Sequence, residues 1–425
     1  MGAIGQFVSV LALGVLSASA LGCTKASSEA GSGDGDGGGG TAATGNGAAT
    51  GATGSGASSG SGAVAPGVLG VVVVDVQETF VDGASNPDMP LVIDRTSELF
   101  SLADAHGVPF FITFEASQTG SHALHAPLVP VVPSGAQDFT KTTFAATGLP
   151  AFSGAIDASG ITHAVVVGAE TDVCVMQTVL GLRSMGVTVL LEHDAVFSEE
   201  TNTSPALRRM EQAGVVLVDH TEVAGFVADQ DHLPVAVDAV VRGVEPLEMG
   251  VVLNALSSAS IASSGDVYKS QKLARLRELL LVSEWFGLPV YVDDPAAGLP
   301  AELAEYYWGE LRPVGQIASD AGVTQLVLAG TDAALPGVVA ARSSAHDVFV
   351  MEDALLAQRT VADQAALIAP LVEQGVVPTT YKSFWYDMTR SVDTGEWPSQ
   401  AWVDKIDEYY PITQAPEDLP PIAPD

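Results

Sequence analysis

The chain has 425 residues, 47% of them hydrophobic, which is enough to bury large cores in about two to three domains of ~100–200 residues each. With 17 basic against 51 acidic residues the net charge is −34. A surface of that sign repels phosphate backbones and anionic lipid, so nucleic acid is excluded as a partner.

Residues 1–23 open with an apolar stretch from Phe7 to Leu21 and end on ALGC. That length suits the core of a signal peptide better than a spanning helix. The ending resembles the lipobox of bacterial lipoproteins, although no Lys or Arg precedes the stretch and Ala20 stands where leucine is usual. The resemblance implies lipidation of Cys23 after cleavage. It also implies an exported, membrane-anchored protein, periplasmic or cell-surface, that meets the membrane only through that lipid. An uncleaved N-terminal anchor is the alternative. Residues 24–66 are rich in Gly, Ser, Thr and Ala and nearly free of large apolar side chains. They are expected to form a disordered linker, with a mean span of roughly 35 Å. With Cys23 lipidated, Cys174 has no partner for an intramolecular disulfide.

Residues 67–232 alternate strand and helix patterns. The run VLGVVVVDV is continuously apolar, as in a parallel strand buried on both faces. LVIDRTSELFSLADAHG has helical spacing and stops on Gly107. VPFFITFE, ITHAVVVG, VTVLLEHDAV and VVLVDH supply four more strands, with helices after Cys174 and over SPALRRMEQAG. Such β-α-β steps predict a doubly wound parallel sheet with helices on both faces.

Residues 233–246 form a connection, and 247–382 repeat the order. MGVVLNAL echoes LGVVVVDV, and the segment from Gly322 to Leu355 echoes the one from Gly160 to Val196. The offset is 180 between Gly70 and Gly250 and 162 between Gly168 and Gly330. This predicts an internal duplication whose second copy is shorter by about eighteen residues between its second and third strands, in the segment that carries Lys141 in the first. Residues 383–425, aromatic and then proline-rich and acidic, are expected to be a tail strapped across their own domain.

Three polar residues of the first copy stand out. Asp75 ends an apolar strand, where a carboxylate is costly without a partner or a task. Lys141 follows strand two, and Cys174 begins the helix after strand three. These are C-terminal strand ends, where α/β active sites gather. A helix N-terminus and a nearby ammonium favour thiolate at Cys174, and Asp75 is placed to take and return a proton. Taken singly, each has a plain structural alternative: core thiol, helix cap and surface charge.

The segments VVVVDVQETF, KTTFAATGL and GAETDVCVMQT, in that order, resemble the signature segments of the isochorismatase-like cysteine hydrolases. The resemblance implies an Asp75–Lys141–Cys174 triad and a cis peptide between Ala169 and Glu170. It further implies an oxyanion hole formed by the amides of Glu170 and Cys174. The implied reaction is cleavage of an amide, imide or ester of a small molecule through a cysteine acyl-enzyme, with no cofactor. TFEASQTGSHALH lacks the Asp-x-His of the metal-binding branch, so no metal is expected. His122 and His125 are then solvated loop residues. The second copy has Asn254 or Ala255 for Asp75 and no cysteine, so it is expected to be silent. Members of that superfamily pair as homo-oligomers, which implies that the second copy serves as a built-in pseudo-dimer partner and is compatible with further assembly. The alternatives are a non-catalytic binding or scaffold lipoprotein, and thiol redox chemistry at Cys174.

Overall fold

A computed structural model describes residues 67–116, 123–199, 203–235, 237–357 and 361–389. The leader, Cys23, the linker, His122 and the tail beyond 389 lie outside the described residues. Two six-stranded parallel sheets follow one another along the chain. The first contains β1 (Leu69–Val74), β2 (Phe110–Glu115), β3 (Gln137–Lys141), β4 (His163–Ala169), β5 (Thr188–Phe197) and β6 (Val216–Val218) in the order 3-2-1-4-5-6. The second contains β7 (Met249–Asn254), β8 (Val290–Val292), β9 (Leu311–Pro313), β10 (Gln325–Thr331), β11 (Asp347–Leu356) and β12 (Val377–Thr379) in the equivalent order 9-8-7-10-11-12.

Alternation along β1 explains its unbroken apolar run. Successive strand side chains point to opposite faces. Val72 and Val74 meet Phe152, Ile156, Val179 and Met210, while Leu69, Val71 and Val73 meet Val92, Leu99, Phe100 and Val223. Those partners belong to helices Met89–His106, Pro150–Ser159, Met176–Ser184, Ser204–Gln212 and His220–Ala228, numbered α1 to α5. With helices on both faces, no polar alternation is needed. Gly107, at φ 64, closes α1 in the left-handed region, as its place after the last periodic residue predicts.

Three features depart from the expectation. β3 was not expected: QDFTK is short, mostly polar and lies at the sheet edge, so it carries no apolar signature. It also relocates the missing residues. The offset of 180 between Phe110 and Val290 becomes 175 between Gln137 and Arg312 and 162 between His163 and Gln325. The second unit therefore keeps an edge strand, and most of its shortening follows that strand, where the first unit has α2. Finally, the presumed tail begins inside a helix, Tyr381–Thr389, here α6, which follows β12 as α5 follows β6. It turns Tyr381, Phe384 and Met388 into its own unit's core and sets Tyr386 into the core of the first. No helix among the described residues is long and apolar enough to cross a membrane.

At the start of α5 lies an acid–imidazole chain that runs from the buried Glu192 to the exposed Glu98. His220 Nδ1 is 2.8 Å from Glu192 Oε1, and its Nε2 is 2.8 Å from Glu98 Oε2. Asp194 and Arg95 complete the surroundings. Burial, above all, pushes the Glu192 carboxyl up to about 7. Burial pulls the imidazole down, but its hydrogen bonds to Glu192 and Glu98 override this and raise His220 overall. Both groups hold protons in the folded state at pH values where the unfolded chain has released them, so stability falls as pH rises. We expect Tm to decline from about pH 5 through pH 7, the interval from an ordinary Glu to the raised Glu192, and to keep falling above the ordinary His range. Glu192→Gln should flatten that slope. Calorimetry across the range checks this, and a Tm that rises with pH, or an unchanged slope in the variant, refutes it.

Candidate active site

The strand order reverses direction between β1 and β4, and side chains that follow the C-terminal ends of strands at such a point share one crevice. Register brings four of them together. Val74 pairs with Thr113 on one side and Gly168 on the other, so the turns after β1 and β4 are adjacent. Glu115 pairs with Lys141 across β2 and β3. Asp75 leaves β1 at φ 49, a left-handed conformation uncommon for any residue with a Cβ. Gly168 is required beside it: at φ 120, an added Cβ would stand 2.0 Å from the Val74 carbonyl oxygen. Cys174 sits in one wide turn, Thr171–Val175, in which the Val173 and Val175 amides both donate to the Glu170 carbonyl. The Ala169–Glu170 peptide that leads into this turn is cis.

Lys141 Nζ is the hub. It lies 2.7 Å from Asp75 Oδ2, 2.9 Å from Glu115 Oε2 and 3.4 Å from Cys174 Sγ. Thr113 Oγ1 donates to Asp75 Oδ1 at 2.7 Å. Asp75 and Lys141 have no exposed surface, and Cys174 is 3% exposed. The plain alternatives for two of these residues are thereby removed. The Asp75 carboxylate caps no helix, and Lys141 is not a surface charge.

Glu115 is the member that sequence reasoning passed over. It was read only as the end of a strand lacking Asp-x-His. Its signal was the one used for Asp75, a carboxylate closing an apolar strand. Gln77 holds the strand end in place, accepting from the Glu115 amide at 2.7 Å. Among the described residues the acceptor set with the spacing of cation ligands is Asp75, Glu115 and Cys174, whose ligand atoms all lie within 4.8 Å of one another. The Lys141 ammonium already supplies positive charge at its centre. His125 lies away from that set, with Nδ1 on the Glu78 carboxylate.

Two carboxyls and one ammonium share this buried site, which leaves a proton to be placed. Burial raises the Asp75 carboxyl; Lys141 opposes the rise and Glu115 adds to it. Burial pulls Lys141 down, but the charges of Asp75, Cys174 and Glu115 hold it well above its ordinary value. Burial pushes the Cys174 thiol well up, against the pull of Lys141. The wide turn places Cys174 ahead of α3, and burial opposes the pull of the ammonium on the thiol proton. These directions favour a thiol beside an ammonium–carboxylate pair.

The second unit keeps the fold of this site without its groups. Ala255 takes the position of Asp75 and the same left-handed turn, at φ 46. From Gly168 to Met176 is eight residues, but from Gly330 to Leu335, where the matching helix Leu335–Arg342 begins, is only five. The wide turn is thus absent there.

Residues 70–222 match the family model described as the Isochorismatase domain. The chain is 31% identical over 173 residues, 37% of its length, to streptothricin hydrolase of Streptomyces noursei, and spans 62% of that relative. Among solved structures, the MAR1 ribonuclease of Caenorhabditis elegans is 25% identical with a TM-score of 0.36, over 43% of this chain and 98% of that one. The YcaC gene product of Escherichia coli, an octameric hydrolase of unknown specificity, is 26% identical with a TM-score of 0.34, over 37% and 78%.

Proposed function

We propose, on the premise that the first unit of this chain belongs to the isochorismatase-like superfamily, that it is a cysteine hydrolase of small-molecule amides, imides or esters. The observation that carries this reading is the single ammonium of Lys141 touching Asp75, Glu115 and Cys174 in a buried crevice. Asp75 takes the thiol proton as Sγ attacks the carbonyl carbon, and a C–S bond forms. As the C–N or C–O bond breaks, Asp75 returns that proton to the departing amine or alcohol. Water then adds to the thioester, giving one proton to Asp75. The C–S bond breaks, the acid leaves, and the sulfur regains its proton. Lys141 remains charged throughout and holds the developing thiolate. The Glu170 and Cys174 amides are the donors assigned to the oxyanion. Because Sγ is almost wholly buried, only a small acyl group reaches it. The relative's name associates it with streptothricin; hydrolysis is what we carry over, not that substrate.

A panel of amides, cyclic imides and esters tests the assignment. We expect turnover of at least one class, with a trapped acyl adduct on the Cys174 peptide by mass spectrometry. Asp75→Asn and Lys141→Ala should each lose on the order of 10³-fold or more, since such groups act as a unit. An adduct on another residue, or full turnover in either variant, would sink the assignment.

A further inference from the structure

The wide turn that carries Cys174 is not held by the first unit alone. Glu170 Oε1 accepts from the Glu199 amide at 2.9 Å and from Lys382 Nζ at 3.2 Å. Asp172 Oδ1 accepts from Ser198 Oγ at 2.7 Å and lies 4.0 Å from the same Lys382 ammonium. Ser383 Oγ donates to the Asp172 carbonyl at 3.0 Å. One turn further along α6, the Asp387 carboxylate receives both Gln177 Nε2, from the start of α3, and Arg209 Nη1. Beside it the Tyr386 ring packs edge-on against Phe144 at 4.6 Å, three residues past Lys141. Lys382, Glu170, Asp172, Gln177, Arg209 and Asp387 are all at most 9% exposed.

We propose that α6 of the second unit is the positioning element for the nucleophile of the first, with Lys382 its decisive residue. The two acidic side chains here, Glu170 and Asp172, lie in sequence between Ala169, the first residue of the cis bond, and Cys174. Brought together in a buried place, two carboxylates repel unless a cation lies between them. Lys382 is that cation, and it comes from across the boundary between the units. Burial raises the Asp172 carboxyl and Lys382 opposes it, which is the direction expected of a pair that needs its cation. Asp387 performs the converse task on the other side, neutralising Arg209 and fixing the first turn of α3. Removing Lys382 should let the acidic turn open and carry Sγ away from Asp75 and Lys141. The second unit then acts on the reaction through the turn, without touching substrate.

This inference rests on Cys174 being the nucleophile, so its test needs a readout independent of turnover. In the full chain carrying Cys23→Ser, Cys174 is the only thiol. Its alkylation by iodoacetamide is followed against pH in that background, with Lys382→Met, Lys382→Arg and Asp387→Asn added. We expect Lys382→Met to slow alkylation at neutral pH roughly tenfold, the scale of residues coupled in one charged network, and to move the midpoint to higher pH. Lys382→Arg should restore most of the rate, and Asp387→Asn should fall between. If Lys382→Met does not fold, Asp387→Asn decides alone. An unchanged profile overturns the inference. So does an equal change in Lys382→Met and Lys382→Arg, or a faster-reacting thiol, which would report exposure and not positioning. The two readings fail separately: no turnover by the unaltered chain on any panel substrate removes the nucleophile, whereas an unchanged profile removes only the role of α6.

Discussion

Cys174→Ala is expected to abolish hydrolysis while the chain still folds. The catalytic loss follows from the covalent route, in which no other side chain in the crevice can form the acyl bond. Lys141 is fully protonated and the two carboxylates are poor acyl acceptors beside it. Loss of a nucleophile that works as one unit with its base lowers kcat by on the order of 10⁴-fold or more. The folding effect should be small because Sγ is a minor part of the packing. Cys174 lies in a core cluster with Val175, Met176 and Val179, and those contacts are made largely by its neighbours. Lys141 also keeps its ion pairs to Asp75 and Glu115. Deleting one buried sulfur should cost about 1–2 kcal/mol, within the ordinary range for point changes. Asp75→Asn tells more about mechanism. The amide keeps the shape of the carboxylate but cannot shuttle the proton, and the thiol is pushed well up by burial. Turnover should therefore fall almost as far as in Cys174→Ala. Parallel melts and progress curves on the best panel substrate check both variants. Residual turnover within tenfold of the unaltered chain in Cys174→Ala would remove the covalent route.

What could be read in the sequence was whatever apolar pattern or strand-end polarity announces by itself. The buried strands β1, β4 and β10 are unbroken apolar runs because helices cover both faces. Asp75 stood out because a carboxylate ending such a run needs a reason, whereas Lys141 and Cys174 were singled out from the loops above strand ends and from the resemblance of KTTFAATGL and GAETDVCVMQT. Glu115 met the same criterion but was measured against a metal motif it lacked, so its contact with Lys141 went unforeseen. β3 was missed because an edge strand is half solvated and need not be apolar. The forces on the Cys174 thiol were legible only in part. A sequence shows which charges surround a thiol but not how completely water is excluded, and here exclusion dominates. α6 was read as a tail because its polar residues Lys382, Ser383 and Asp387 spoil any one-sided apolar stripe. They are buried against a partner surface, and only the two units together reveal that surface.

Residues 67–232 expressed without the second unit should fail to give a soluble, fully active monomer. The electrostatic part of that loss is smaller than the buried ion pairs suggest. Arg209 is 2% exposed in the full chain and pairs with Asp387, but removing the second unit opens it to water as well as taking its partner away. Hydration then compensates it. The contrasting case is Asp387→Ala in the full chain. There Arg209 stays enclosed, between Phe349 at 5.6 Å and the Arg242 carbonyl at 3.0 Å, without its carboxylate. Such a change commonly costs about 3–5 kcal/mol. For the fragment, the damage comes instead from apolar surface. Tyr386 leaves the core cluster that contains Phe152, Met176 and Met210, Trp385 leaves its edge, and Phe144 loses its ring partner. Contiguous apolar surface of that kind drives self-association. The turn carrying Cys174 would also lose Lys382, Ser383 and the Asp387 contact to Gln177 together. We therefore expect the fragment to aggregate or dimerise through the uncovered α3–α4 face, and its turnover to drop by roughly tenfold to a hundredfold, as coupled contacts are lost. Light scattering on the eluting fragment and assay of the same fractions decide the matter. A monodisperse monomer with undiminished turnover would mean that the second unit is dispensable to the first.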